Sequence, residues 1–189
     1  FSYKQGRFSR NVRTRWIISR GNRDRNDFGD YDSNPMDEDE DGHGTHCAGV
    51  ISAVSDNNKG ICGISNAKLM ALKVFNSAGT SYDSAIIAAF NYIYKAQTLG
   101  ANIAAINCSW GGGGSSSTSM KTLINQIGQN GSLFLFAAGN DGEDHDNAIS
   151  DGCPYDLDSP YVVTVGASTQ TDKKASFSDY GNKTVHLFA

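Results

Sequence analysis

Proline is scarce in this sequence, with 3 in 189 residues. Together with 21 glycines and a hydrophobic fraction of 39%, that scarcity excludes a collagen-like chain and a wholly disordered one. No run approaches the roughly 18 apolar residues that a membrane-spanning helix needs. The N-terminus is basic but has no apolar h-region, so no signal peptide is visible. Cysteine is sparse too. Cys47, Cys62, Cys108 and Cys153 stand far apart without a C-x-x-C pair. That excludes a zinc ribbon or a disulfide-dense scaffold and leaves two bridges, one or none open. The length is enough for one domain with a real core.

Acids are nearly missing from residues 1–25, which carry eight Lys or Arg and only Asp24. Bases are missing from residues 26–42, which carry eight acids. The net charge of -4 conceals this division. A basic arm with Phe1, Tyr3, Phe8 and Trp16 interspersed has the groups to neutralise phosphates and stack on bases. No nucleic-acid recognition fold follows it. The favoured reading is a solvated tail, or one docked on the neighbouring acidic run, and nucleic acid is not expected as a partner.

Periodicity is weak up to residue 34, where only Arg15–Ser19 reads as a short strand. Beyond it, strands and helices alternate. A small-residue helix is expected from His43 to Val54 and a strand from Lys68 to Phe75. A second helix spans Ser81 to Leu99, with Ile86, Ala89, Phe90 and Ile93 on one face. Ser81 or Asp83 can cap its start, and Gly100 its end. Strands follow at Asn102–Cys108, Leu133–Ala138, Tyr161–Ala167 and Val185–Phe188. A third helix at Ser117–Gln129 turns Leu123, Ile124 and Ile127 inward. The pattern implies an α/β fold with a parallel central sheet and helices on both faces. The unbroken apolar run Leu133–Phe136 fits burial on both faces. Functional groups in such folds gather beyond the carboxyl ends of the strands. Three unusual loops leave strands here: Ser109–Gly114, Ala138–Gly142 and Ser168–Ser178. The Gly/Ser run from Gly111 to Ser119 is read as a positioned loop rather than a flexible linker.

Several motifs have both a plain and a chemical reading. Asp37–Gly42 imitates the start of a calcium loop, but its twelfth position is Ala48 where a bidentate carboxylate is required. A solvated acidic run is the favoured reading. His43 and His46 have the i, i+3 spacing of a metal pair, without a Glu between them or an obvious third ligand. The alternative is a general base at a helix start, flanked by small residues. Asn140 is either a turn residue or an amide donor aimed at a developing oxyanion. Cys47 reads as a small buried hydrophobe. Sequons include those at Asn107 and Asn182. Asn107 is expected to be buried, so of these two Asn182 is the expected glycosylation site.

In order along the chain stand Asp-Gly-His-Gly-Thr-His-Cys-Ala-Gly-Val, Ile-Asn-Cys-Ser-Trp-Gly-Gly-Gly and Ala-Ala-Gly-Asn-Asp-Gly. Together they resemble the subtilisin-like serine proteases, from about Asp27 to Ala189. Asn34–Asp37, Ala175–Gly181 and Val185–Ala189 also fit. The resemblance implies a serine endopeptidase acting on peptide or protein substrates. His43 would be its general base and later its general acid, and Asn140 its oxyanion donor. His46 would be structural and packed. Ser109, Trp110 and Gly111 would form an edge strand pairing with the substrate backbone. Trp110 and the following glycines would line specificity pockets, and Ala138 and Gly139 would wall the pocket before the scissile bond. The family further implies export from the cell and structural calcium, for which the Asp56–Asn58 loop is one place. It implies no cofactor for catalysis and no catalytic metal.

The departures concern the rest of the triad. The family's Asp stands in Asp-Ser/Thr-Gly, and its nucleophile in Gly-Thr-Ser-Met-Ala. Neither occurs here. Ile17–Gly21 has the right local shape, but Ser19 stands where the Asp belongs. Asp27 is only sixteen residues ahead of His43. Thr118–Met120 echoes the nucleophile block, in the wrong place. The chain thus reads as an interior section of a subtilisin-like domain over residues 26–189, behind a basic segment of residues 1–25. Taken alone, it is expected to be inactive. The alternative is a catalytically inactive relative that serves as a binding module.

Overall fold

The computed structural model describes residues 27–30, 42–111, 118–147 and 159–189. They fall into two compact units, one ending at Ala104 and the other spanning Ala105–Ala189. The candidate strand at Arg15–Ser19, the acidic run from Asp37, most of the Gly/Ser loop and Cys153 lie outside the described residues.

The first unit holds helices α1 (His43–Ser52) and α2 (Asp83–Thr98). Gly42 precedes α1 in the left-handed region, at φ 56°, a conformation glycine adopts without steric cost. α1 stops two residues short of the expected Val54. Its last carbonyls are taken up by the returning chain, where Gly63, Ile64 and Ser65 donate to Ala53, Val50 and Ile51. That return needs a glycine, because a Cβ at Gly63 would collide with the Ser52–Ala53 backbone. α2 buries Ile86, Ala89, Phe90 and Ile93, as their spacing predicts. The expected side-chain cap is not formed. Ser81 Oγ instead donates to Val74 O at 2.6 Å.

Between the helices, Met70, Ala71, Leu72, Lys73 and Val74 are all buried. Among the described residues, the expected strand there forms two single bridges, Asp27 with Lys73 and Phe75 with Ser81. Its neighbour, residues 27–30, turns at once. Both Gly29 N and Asp30 N donate to Asp27 Oδ1, so residues 27–30 themselves do not extend the ladder.

The second unit is built on four parallel strands in the order β1 (Ala105–Cys108), β2 (Leu133–Ala137), β3 (Val162–Gly166), β4 (Leu187–Phe188). Helix α3 (Thr118–Gln129) links β1 to β2 and packs on β2, a crossover of the kind parallel strands require. It buries Leu123, Ile124 and Ile127 as anticipated. Gly128 abuts Tyr161 with no room for a side chain between them. The core contains Phe134, Phe136, Ile106 and Ile124. Burial along β2 is one-sided rather than complete. Phe134 and Phe136 are inside, while Leu133 is 45% exposed and Leu135 half-buried. Successive strand residues face opposite ways, and the two phenylalanines take the inward face.

Candidate active site

In the first unit, His43 opens α1 with its ring exposed. Gly44 and Ala48 are the inward positions of this helix. They are four residues apart and therefore share one face. His46 lies about half a turn from that face and is exposed, which corrects the expectation that it is packed. Cys47 is half-buried rather than buried, with Sγ 3.8 Å from His43 Nε2. The loop at Asp56–Gly60 is an exposed turn in which Asp56 and Asn58 take positive φ. Asn57 Oδ1 accepts Lys59 N at 2.9 Å. Calcium calls for six to eight oxygens. This turn offers the Asp56 carboxylate and the Asn57 and Asn58 carboxamide oxygens, with Asn57 Oδ1 already bonded. No group of three or more His, Cys, Asp or Glu able to hold a metal occurs among the described residues.

Asp27 proves to be a structural carboxylate. Its Oδ1 accepts the Gly29 and Asp30 amides at 2.8 and 3.0 Å. Its Oδ2 pairs with Lys73 Nζ at 3.0 Å, and the two side chains are 0% and 4% exposed. Asp30 joins the same ammonium. For Lys73, burial would lower the pKa, but its bonds to Asp30 and Asp27 outweigh burial and raise it. The bond to Lys73 holds the Asp30 carboxyl below its ordinary value.

In the second unit, β1 and β2 are adjacent and parallel, with Cys108 opposite Phe136. The Ser109 segment and the Asn140 loop therefore emerge side by side from the carboxyl ends of neighbouring strands, where α/β folds place their functional groups. The β1 ladder ends at Cys108, so Ser109, Trp110 and Gly111 run on past the strand. Ser109 Oγ is bonded to the Asn107 side chain, and Asn107 is half-buried. Trp110 meets Phe136 edge-on, with centroids 5.6 Å apart, and Phe136 stacks on Phe134. The indole is thus seated on the core. Burial pushes the Cys108 thiol well up, which keeps it an inert hydrophobe. The glycines after Gly111 lie outside the described residues.

Ala138 is buried and donates its N–H to Val165 O at 2.9 Å. Gly139 follows at φ 118°, and a Cβ there would strike the Asp179 carboxylate. Asn140 comes next, exposed. Its neighbours are held from the far loop. Asp141 N and Glu143 N both donate to Asp179 Oδ1 at 2.9 Å, and Gly142 N donates to Phe177 O. Asp179 Oδ2 lies 3.0 Å from His145 Nε2, with both side chains buried. Burial would raise the Asp179 carboxyl, but the bonds from His145, Glu143 and Asp141 hold it below the ordinary carboxylate range. Sequence reasoning marked Ala175–Gly181 but assigned no role to Asp179 or His145. They are 34 residues apart, and only the paired loops bring them together.

The chain is similar to known proteins in sequence and in fold. The profile of the Peptidase_S8 subtilase family matches residues 10–189. "Subtilisin-like protease 2" of Pseudogymnoascus destructans is 34% identical over 152 residues, covering 80% of this chain and 34% of that protein. "Extracellular protease" of Xanthomonas campestris is 35% identical over 144 residues, covering 74% and 24%. Among solved structures, a cold-adapted subtilisin-like serine proteinase matches with a TM-score of 0.69 and 28% identity, over 93% of this chain and 62% of that one. The chain spans about a third or less of the length of these two curated relatives.

Proposed function

Because the chain belongs to the subtilase family, we propose that its protein is a serine endopeptidase, with His43 as general base and then general acid. In the reaction, the base takes the proton of a serine hydroxyl as that oxygen attacks the peptide carbonyl, and returns it to the leaving amine. The oxyanion that develops would take a hydrogen bond from the Asn140 amide. Ser109, Trp110 and Gly111 would align an extended substrate backbone, with Ala138 and Gly139 walling the pocket before the cleaved bond. The chemistry draws on protein groups alone and requires no cofactor. The substrates would be peptides or proteins. The name of the Xanthomonas relative supports an extracellular place of action. No helix among the described residues is long and apolar enough to cross a membrane.

The observation that carries this reading is the side-by-side exit of the Trp110 segment and the Asn140 loop from two adjacent parallel strands. The alternative reading is a catalytically inactive binding module. These 189 residues contain neither Asp-Ser/Thr-Gly nor Gly-Thr-Ser-Met-Ala. Triad members act as a unit, and losing one costs orders of magnitude. The 189 residues alone are therefore expected to cleave no peptide, whereas the full protein should cleave one and lose activity to a serine-directed covalent inhibitor. Inhibitor-sensitive turnover by the chain alone would overturn the first expectation. A full protein that binds peptide without cleaving it would establish the binding module.

A further inference from the structure

We infer that Asp179, backed by His145, is the positioning residue that holds the Asn140 loop in shape for its amide to act. The inference rests on the reading of Asn140 as oxyanion donor and adds the group that would make that donor rigid.

A buried carboxylate is costly unless its oxygens are bonded, and at Asp179 both are. Oδ1 accepts the amides of Asp141 and Glu143 at 2.9 Å each. Oδ2 faces His145 Nε2 at 3.0 Å. Asp179 also donates its own N–H to Gly139 O at 3.1 Å. One residue therefore grips the backbone on both sides of Asn140, at positions 139 and 141, and again at 143. Gly139 lacks a side chain where the carboxylate comes closest. His145 is itself anchored, donating its N–H to Tyr180 O at 2.8 Å. On the other side, Lys174 Nζ donates to Ser178 O at 3.0 Å and lies over the Tyr180 ring. Asn140 thus stays exposed on a backbone fixed from below. A donor preset in this way needs no reorganisation as charge develops.

Asp179→Asn keeps the shape and removes the charge. In the full protease, counted by active-site titration, kcat should fall roughly ten- to a hundredfold, the scale of a small misplacement of a catalytic group, with KM unchanged. In an Asn140→Leu background the same change should have no further effect. In parallel, the Asp141 and Glu143 amides should lose hydrogen-exchange protection while the β2–β3 ladder keeps it. If Asp179→Asn does not fold, His145→Gln removes the ring and leaves the two amide bonds, with a smaller loss of kcat expected and the same dependence on Asn140. An unchanged kcat, an equal loss in the Asn140→Leu background, or amides that stay protected would overturn the inference. Full kcat in Asn140→Leu alone would remove the oxyanion reading by itself, and the exchange data would still decide whether Asp179 holds the loop.

Discussion

At Gly139 the backbone sits at φ 118°, and any Cβ would drive into the Asp179 carboxylate. Gly139→Ala therefore combines backbone strain with overpacking, and a loss on the order of 2–4 kcal/mol is expected from chemical denaturation. The next residue invites the opposite experiment, since the exposed Asn140 side chain can change without disturbing packing. Asn140→Leu keeps the size and removes the donor. An interaction gained only in the transition state raises kcat rather than lowering KM. In the full protease kcat should fall by on the order of 10²–10³ with KM little changed; that magnitude is the one known for removing such a donor from a subtilisin. A plain turn residue would behave differently, lowering stability and leaving kcat intact. Steady-state kinetics on titrated enzyme separates the two.

The elements that could be read from sequence were those with strong local periodicity. α2 and α3 bury the residues their spacing selects, because a stripe at i, i+3, i+4, i+7 can face only one way. The segment ending at Phe75 was harder. Its apolar composition signals burial, which is observed, but a strand also needs a partner. Among the described residues, what meets it there is two short contacts and a buried charge cluster. Lys73→Met would leave Asp27 buried without its cation, and breaking a buried pair in this way costs on the order of 3–5 kcal/mol. The midpoint of urea unfolding should move down accordingly. Lys73→Arg should restore part of the loss, whereas an unchanged midpoint in Lys73→Met would show that the cluster adds nothing to stability.

Each compact unit carries its own acid-sensitive fastening: Asp30 with Lys73 in the first, and Asp179 with His145 in the second. Both carboxyls titrate below their ordinary value of 3.8. A depressed native pKa means the folded form favours the ionised group, so the stabilisation is complete above the ordinary value and is lost as pH falls through the native one. Both units should therefore hold their stability down to the ordinary carboxylate pKa and lose it below. Unfolding followed by circular dichroism across that range, with Asp179→Asn for comparison, checks this. The variant's curve should be flatter in acid, and parallel curves would remove Asp179 as a source of the pH dependence.

Read alone, the sequence determined the α/β class, the order of the three helices and of the four strands of the sheet, and the motifs around His43, Trp110 and Asn140. All of these are local: a periodicity, a glycine at a turn, a short string of residue types. Tertiary structure alone decided which groups meet. It spent Asp27 on Lys73, left His46 on the open side of α1, and set the Trp110 and Asn140 segments side by side through the pairing of β1 with β2. It also brought His145 and Asp179 together across two loops. No spacing rule predicts such a meeting, because the contact exists only once parallel strands in register have brought distant stretches of chain to the same end of the sheet.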